Sequence, residues 1–140
     1  MFHMKQFTSK KQKIGEFGEK LALKFLISKG FSLIERNYTK KIGEIDLVVQ
    51  KGGIIHFVEV KTLVYAVSHE TKDVSRETYN IFDNFTHHKL RKLSKTVAWY
   101  LAERHVSRET LWVIDAIGVS IFENRKHAKI DVLWNVIGGA

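Results

Sequence analysis

Apolar residues between positions 14 and 29 recur at helical spacing, Ala22, Leu23 and Leu26 among them, and the run stops at Gly30. That periodicity predicts an amphipathic helix over 14–29, preceded by a flexible, polar and basic leader over 1–13. Beyond Gly30 the pattern shortens to the two-residue period of strands. Segments 31–37, 44–50 and 54–61 read as three strands, and Lys51-Gly52-Gly53 between the last two is a hairpin signal. Segment 64–85 is polar and nearly aperiodic, which predicts a long loop. A helical stripe returns over 86–104, where Leu90, Leu93, Val97, Tyr100 and Leu101 share one face. Segments 111–122 and 129–137 read as closing strands. The order αβββαββ, in a single domain over 1–140, predicts a mixed α/β fold with a central mixed sheet flanked by helices.

Within this pattern one strand carries misplaced chemistry. Strand side chains alternate faces, so in Phe57-Val58-Glu59-Val60-Lys61-Thr62 the two valines face one way and Glu59 and Lys61 the other. The hairpin predicts what stands across from them. With Gly52-Gly53 as a two-residue turn, Lys51 pairs with Ile54, and counting back sets Asp46 opposite Glu59. Facing carboxylates repel, and a divalent cation between them reverses the sign of that interaction. A three-residue turn would slip the register by one and send the acids to opposite faces.

A third acid comes from the first predicted helix. At 100° per residue, Glu19 lies within about 20° of Leu26 and about 40° of Leu23, inside the apolar arc. Burying a carboxylate is costly unless it is paired or bound to a metal. The bland account of Glu19 is a packed stem with its head in water, and that of the whole set is an ion-pair network without chemistry. The sharper account is an all-oxygen metal site, which selects Mg²⁺ or Mn²⁺ over zinc. Asp46, Glu59 and Glu19 are its candidate ligands. Lys61 would orient or deprotonate a water, or hold charge on a scissile phosphate.

Charge agrees with a polyanionic substrate. The 140 residues carry 23 Lys and Arg against 15 Asp and Glu, a net +8. Four of these cations, Lys89, Arg91, Lys92 and Lys95, cluster at the start of the second predicted helix as candidate nucleic-acid contacts. The chain has no cysteine, which excludes disulfides, thiolate zinc sites and cysteine nucleophiles and is compatible with a cytoplasmic location. No apolar run approaches the roughly 18 residues of a membrane span, and no signal-peptide stretch opens the chain.

The strings GEFGEKLA, GEIDLVV and FVEVKT, at their spacing in this chain, resemble the YraN family of uncharacterised bacterial proteins, within the PD-(D/E)xK nuclease superfamily. The resemblance covers nearly the whole chain, including the helix around His88-Lys89 and the strand at Trp112-Val113-Ile114-Asp115. It implies a restriction-endonuclease-like core, with Asp46 and Glu59 matching the superfamily's metal-binding acids and Lys61 its catalytic lysine. Glu19 matches the helix acid of Holliday-junction resolvases. Ile45 stands where the superfamily has proline, and segment 64–85 departs from the family.

Other residues are read more plainly. His87 and His88 are expected at the surface, Lys89 is a candidate for facing the acids, and Asp115 and Asp131 are read as structural. Trp99, Trp112 and Trp134 are read as core. Three near-copies of Val-Ser-(His/Arg)-Glu-Thr begin at Val67, Val74 and Val106 and are assigned no role. The expectation is a Mg²⁺- or Mn²⁺-dependent endonuclease-like protein acting on DNA, branched or junction DNA included, with no membrane partner and a homodimer left open. A non-catalytic nucleic-acid-binding module and a protein-interaction subunit are the alternatives.

Overall fold

Gly52 and Gly53 take φ angles of 59° and 79°, the left-handed values that both central residues of a type I′ turn require. In the computed structural model, which describes residues 2–65, 81–83, 85–123 and 128–138, this turn joins strand β2 (Gly43–Lys51) to β3 (Ile54–Tyr65). Lys51 pairs with Ile54, as the sequence predicts. A second tight hairpin pairs Lys40 with Gly43 and joins β1 (Ser32–Lys40) to β2. Helix α2 (His87–Glu103) then returns the chain to β4 (Leu111–Phe122), which runs parallel to β3 from Ile54↔Leu111 to Tyr65↔Phe122. β5 (Ala128–Gly138) closes the sheet antiparallel to β4, giving the order β1-β2-β3-β4-β5. With α1 (Phe2–Ser28) at the start, the observed order is the predicted αβββαββ, a mixed sheet consistent with a restriction-endonuclease-like core.

Alternation divides the core into two layers. Leu47, Val49 and Val58 pack with Ala22 and Leu26 of α1, joined by Ile117 and Val119 of β4. Val48, Phe57 and Ile114 point the other way and pack with Leu93, Val97 and Tyr100 of α2. β4 is buried without interruption over 114–120, as expected of a strand with a parallel neighbour and both faces covered. Full burial of each large aliphatic side chain here contributes about 1.5–3 kcal/mol.

Two boundaries depart furthest from the sequence reading. α1 reaches back to Phe2, across the segment read as a flexible leader. Residues 2–13 contain neither glycine nor proline, so nothing breaks the helix, and apolar periodicity marks only where it packs. β3 continues to Tyr65 instead of ending at Lys61. The rest of the predicted 64–85 loop lies largely outside the described residues, as do the first two pentapeptide copies, but Ile81 is buried and Phe85 packs against the α2-side core. Of the three tryptophans Trp112 is partly buried against the α2-side core. Trp99 is 53% exposed and Trp134 46%, which corrects their assignment as core residues.

Helix α1 docks on β3 through a close approach. A Cβ at Gly18 would fall 1.9 Å from Thr62 Oγ1, with Cβ and Cγ2 of the same side chain at 2.9 Å, so no rotation of Thr62 makes room. At Gly15, one turn earlier, a Cβ would meet nothing within 4 Å. Gly18→Ala should therefore destabilise the fold by about 1–3 kcal/mol through overpacking. Gly15→Ala should stabilise it by up to about 1 kcal/mol through helix propensity. Urea unfolding of the two variants checks the contrast, and equal effects of the same sign would refute the docking geometry.

Candidate active site

The antiparallel ladder between β2 and β3 is regular from Lys51↔Ile54 to Leu47↔Val58 and stops there. The next pair in that register is Asp46 with Glu59. Instead of a further ladder bond, Asp46 Oδ2 accepts the backbone N–H of Val60 at 2.8 Å. The strands part at this point, and the two acids sit at the mouth of the gap. The sequence placed them across from one another in the right register; the structure adds that they stand just beyond the paired part of the hairpin.

An open cleft of about 610 Å³ occupies the gap. Its floor is lined by Asp46 and Glu59, with Lys61 two residues further along β3. α1 contributes Lys11 and Glu19, and α2 contributes His88, Lys89 and Lys92. Of the four cations proposed on α2, only two belong to this cleft. Lys89 and Lys92 lie about 60° apart around the helix, whereas Arg91 lies about 160° from Lys89. Arg91 and Lys95 are exposed and do not line it. The side of Glu59 and Lys61 is also walled by Ile81, Phe82 and Phe85 from the end of the predicted loop.

Electrostatically the cleft is under tension. Asp46 is only 8% exposed. Burial, followed by the charge of Glu59, pushes its carboxyl up to about 8, although the Val60 hydrogen bond acts in the other direction. Burial likewise pushes Glu59 up to about 7, against the pull of Lys89 and, more weakly, Lys61. Glu19 is also raised, by burial first and then by the charges of Glu44 and Glu16. Glu44 was missed in the sequence reading. It lies two residues before Asp46 and lines the same cleft, and strand alternation from Asp46 points to it.

The donor set suits a hard divalent cation. Its donors are carboxylate oxygens, without thiolate, and Mg²⁺ commonly takes one or two protein carboxylates and fills its octahedron with waters and phosphate oxygens. Among the described residues no three acids or histidines stand close enough together to hold one ion. A cation at this site would therefore be held by Asp46 and Glu59, with Glu19 acting through water.

The layered sheet and this acid–lysine cleft define a mixed α/β protein with a restriction-endonuclease-like core. The chain belongs to the uncharacterised protein family UPF0102, the YraN family, whose model matches residues 18–132 and so includes Glu19, Glu44, Asp46 and Glu59. A UPF0102 protein of Helicobacter pylori strain HPAG1 is 32% identical over 133 residues, covering 95% of this chain and 98% of the relative. One of Campylobacter hominis is 32% identical over 111 residues, covering 79% and 87%, respectively. A third, from Campylobacter fetus, is 37% identical over 84 residues, covering 60% and 64%. These names state no activity.

The raised carboxyls have a measurable consequence. Unfolded, both titrate near 4; folded, near 7 and 8, so across that interval the native state holds the extra protons. Their contribution to stability is then greatest at low pH and is lost as pH rises to about 8. In EDTA, Glu59→Gln should match the parent protein near pH 5 and exceed its melting temperature near pH 8, where it removes one of two repelling charges. Calorimetry across that range checks the sign. A variant less stable than the parent at the upper end would instead identify Glu59 as half of a structural ion pair.

Proposed function

We propose that this protein is a Mg²⁺- or Mn²⁺-dependent phosphodiesterase of the endonuclease type acting on DNA. The observation that carries this reading is a pair of proton-hungry carboxylates, the buried Asp46 and the half-buried Glu59, sharing one cleft with Lys61 under a rim of Lys11, Lys89 and Lys92. Two acids held against their own repulsion are of use where a cation meets a phosphate. The bound cation would polarise a phosphate oxygen and acidify a water. Lys89 and Lys92 would hold the backbone on either side of the scissile phosphate. Lys61 would orient the attacking water and neutralise the negative charge that grows on the phosphoryl oxygens as the new P–O bond forms. The old P–O bond would then break, the attacking water losing its proton to solvent and the departing oxygen taking one from solvent to leave as a hydroxyl.

A binding module without chemistry is the second reading. It is favoured by the absence, among the described residues, of a third acid within ligating distance. Cleavage assays on duplex, flap and four-way junction DNA, with Mg²⁺ and with EDTA, separate the two. The outer limits of the substrate class fall within the same assay. Among the described residues no helix is long and apolar enough to cross a membrane.

Catalysis and affinity should separate cleanly. Lys61 is one cation among 23 Lys and Arg residues, and general affinity for DNA comes from counterion release summed over many contacts. Lys61→Ala should leave the salt slope of binding almost unchanged while reducing cleavage by about 100-fold or more. Undiminished cleavage by this variant would make the shared face of Glu59 and Lys61 a structural feature and refute the mechanism.

The division of α2 gives an independent check. Replacing Lys89 and Lys92 together by Glu should weaken DNA binding and flatten its salt dependence by about two phosphate contacts. The same replacement at Arg91 and Lys95 should have a clearly smaller effect. Equal losses from both pairs, measured by fluorescence anisotropy at several salt concentrations, would show that α2 contributes a diffuse charge and not a docked turn.

A further inference from the structure

A second cavity, of about 620 Å³, lies at the far end of α1, on the opposite face of the sheet from Glu59. Lys29, at its margin, is ten residues beyond Glu19, or about 15 Å along the helix direction. The cavity is built around an irregularity in the sheet. Ile114 pairs with Ile137 but Ala116 pairs with Leu133, so Trp134, Asn135 and Val136 stand opposite the single residue Asp115. Bulges of this kind re-aim side chains. This one is fastened by Asp115, which is fully buried. Its Oδ1 accepts the backbone N–H of Asn135 at 2.7 Å, the residue in the bulge with φ of 55°, and its Oδ2 lies 2.5 Å from His56 Nδ1.

The fastening presents an aromatic wall. Trp134 stacks on Phe31 at 5.8 Å with 6° between the ring planes, and His56 meets both rings edge-on. Nearly half of Trp134 nonetheless stays open to solvent. Lys51 and Lys29 stand beside this wall. Lys51 Nζ lies 5.3 Å over the Phe31 ring and donates to the backbone carbonyl of Lys29 at 2.6 Å. Among the described residues Asp115 is the only carboxylate lining the cavity, and both its oxygens are already engaged. The surface therefore offers a flat apolar face beside two positive charges. An exposed, stacked indole beside lysines matches a flat heteroaromatic ring carrying an anion.

We propose that this cavity binds an unpaired nucleotide, the base stacking on Trp134 and the phosphate held by Lys29 and Lys51. His56 and Asp115 act as positioning residues, fixing the bulge that aims the indole. The inference shares its nucleic-acid partner with the proposed function and is independent of the metal and the acid cleft. A base inside a duplex has no free face to offer, so the site distinguishes single strands, flaps and loose ends from intact helix.

Binding is measured in EDTA, with a fluorescent dT oligonucleotide of about 12 nucleotides, with a duplex of equal length and with thymidine monophosphate as competitor. Trp134→Ala should weaken binding of the single strand by about 5- to 100-fold, as loss of one stacked base does, and leave duplex binding within about twofold. Trp134→Tyr should restore most of the affinity, and Trp99→Ala, on the exposed side of α2, should change nothing. Fluorescence supplies a readout that needs no change at position 134. In a Trp99→Phe background, indole emission should be quenched by the oligonucleotide or, at higher concentration, by the monophosphate. Absence of quenching, an unchanged affinity of Trp134→Ala for the single strand, or equal losses for single strand and duplex would overturn the proposal. Failure here with intact cleavage refutes this site alone; Trp134-dependent binding without cleavage refutes only the phosphodiesterase reading.

Discussion

The hydrogen bond from the Val60 N–H to Asp46 Oδ2 ends the β2–β3 ladder and opens the site. A buried backbone donor left without a partner costs about 1–3 kcal/mol, so a ladder cannot simply stop inside a core. Here the side chain of Asp46 supplies the acceptor that the neighbouring strand no longer provides. The strands can then separate without an orphaned donor, and the gap between them becomes the cleft. The same bond acts against the rise in the Asp46 pKa. One interaction thus satisfies the backbone, shapes the cavity and helps the acid to ionise.

Holding repelling acids at the edge of a core requires that the rest of the fold be firm. Central strands buried on both faces provide that, with Leu47, Val48 and Val58 fully enclosed immediately beside the acids. The helices are fixed by different means. Gly18 lets α1 lie against Thr62, which brings Glu19 to the cleft. α2 is anchored at its other end, where Tyr38 donates to Glu103 Oε1 at 2.5 Å and Lys40 bonds the second oxygen at 3.0 Å. Arg104 adds a two-pronged contact to Glu35 at 3.1 and 2.7 Å. Burial and the Glu103 carboxylate push Tyr38 up to about 12, so it stays a hydrogen-bond donor throughout the physiological range. Exposed ion pairs of this sort contribute little to stability. Their effect is directional: they fix the helix so that its first two turns, with Lys89 and Lys92, meet the acids.

Much of this was legible in the sequence because short-range rules governed it. The glycine pair dictated the turn, the turn dictated the register, and the register brought Asp46 and Glu59 together. The helical arc around Leu23 and Leu26 gave the direction of Glu19. What was not legible depended on contacts between distant segments. Counting residues cannot reveal where a ladder stops, so the bond to Val60 was invisible. Arg91 and Lys92 look alike in a basic run and differ only by which side of α2 faces the cleft. The bulge opposite Asp115 is fastened between residues 20 apart in sequence, and without it Trp134 reads as one more core aromatic. Glu44 is the exception, since alternation from Asp46 was enough to find it.

The arrangement of charge within the cleft has a consequence for how its occupants depend on one another. The rim is cationic and the floor acidic, so a phosphate drawn in by Lys89 and Lys92 meets Asp46 and Glu59 unless they are neutralised. Protons can do this, as the raised carboxyls show, but a protonated floor gives up the negative charge that would hold a metal. A divalent cation neutralises the floor and offers the phosphate a ligand. Under the proposed function, cation and phosphate therefore favour each other's binding by the same factor, as linkage requires. Protons compete with the first and so, through it, with the second. On that reading the cleft would stay closed to a nucleic-acid backbone by its own acids until the metal is present, and the basic rim alone would hold DNA above the site without engaging it.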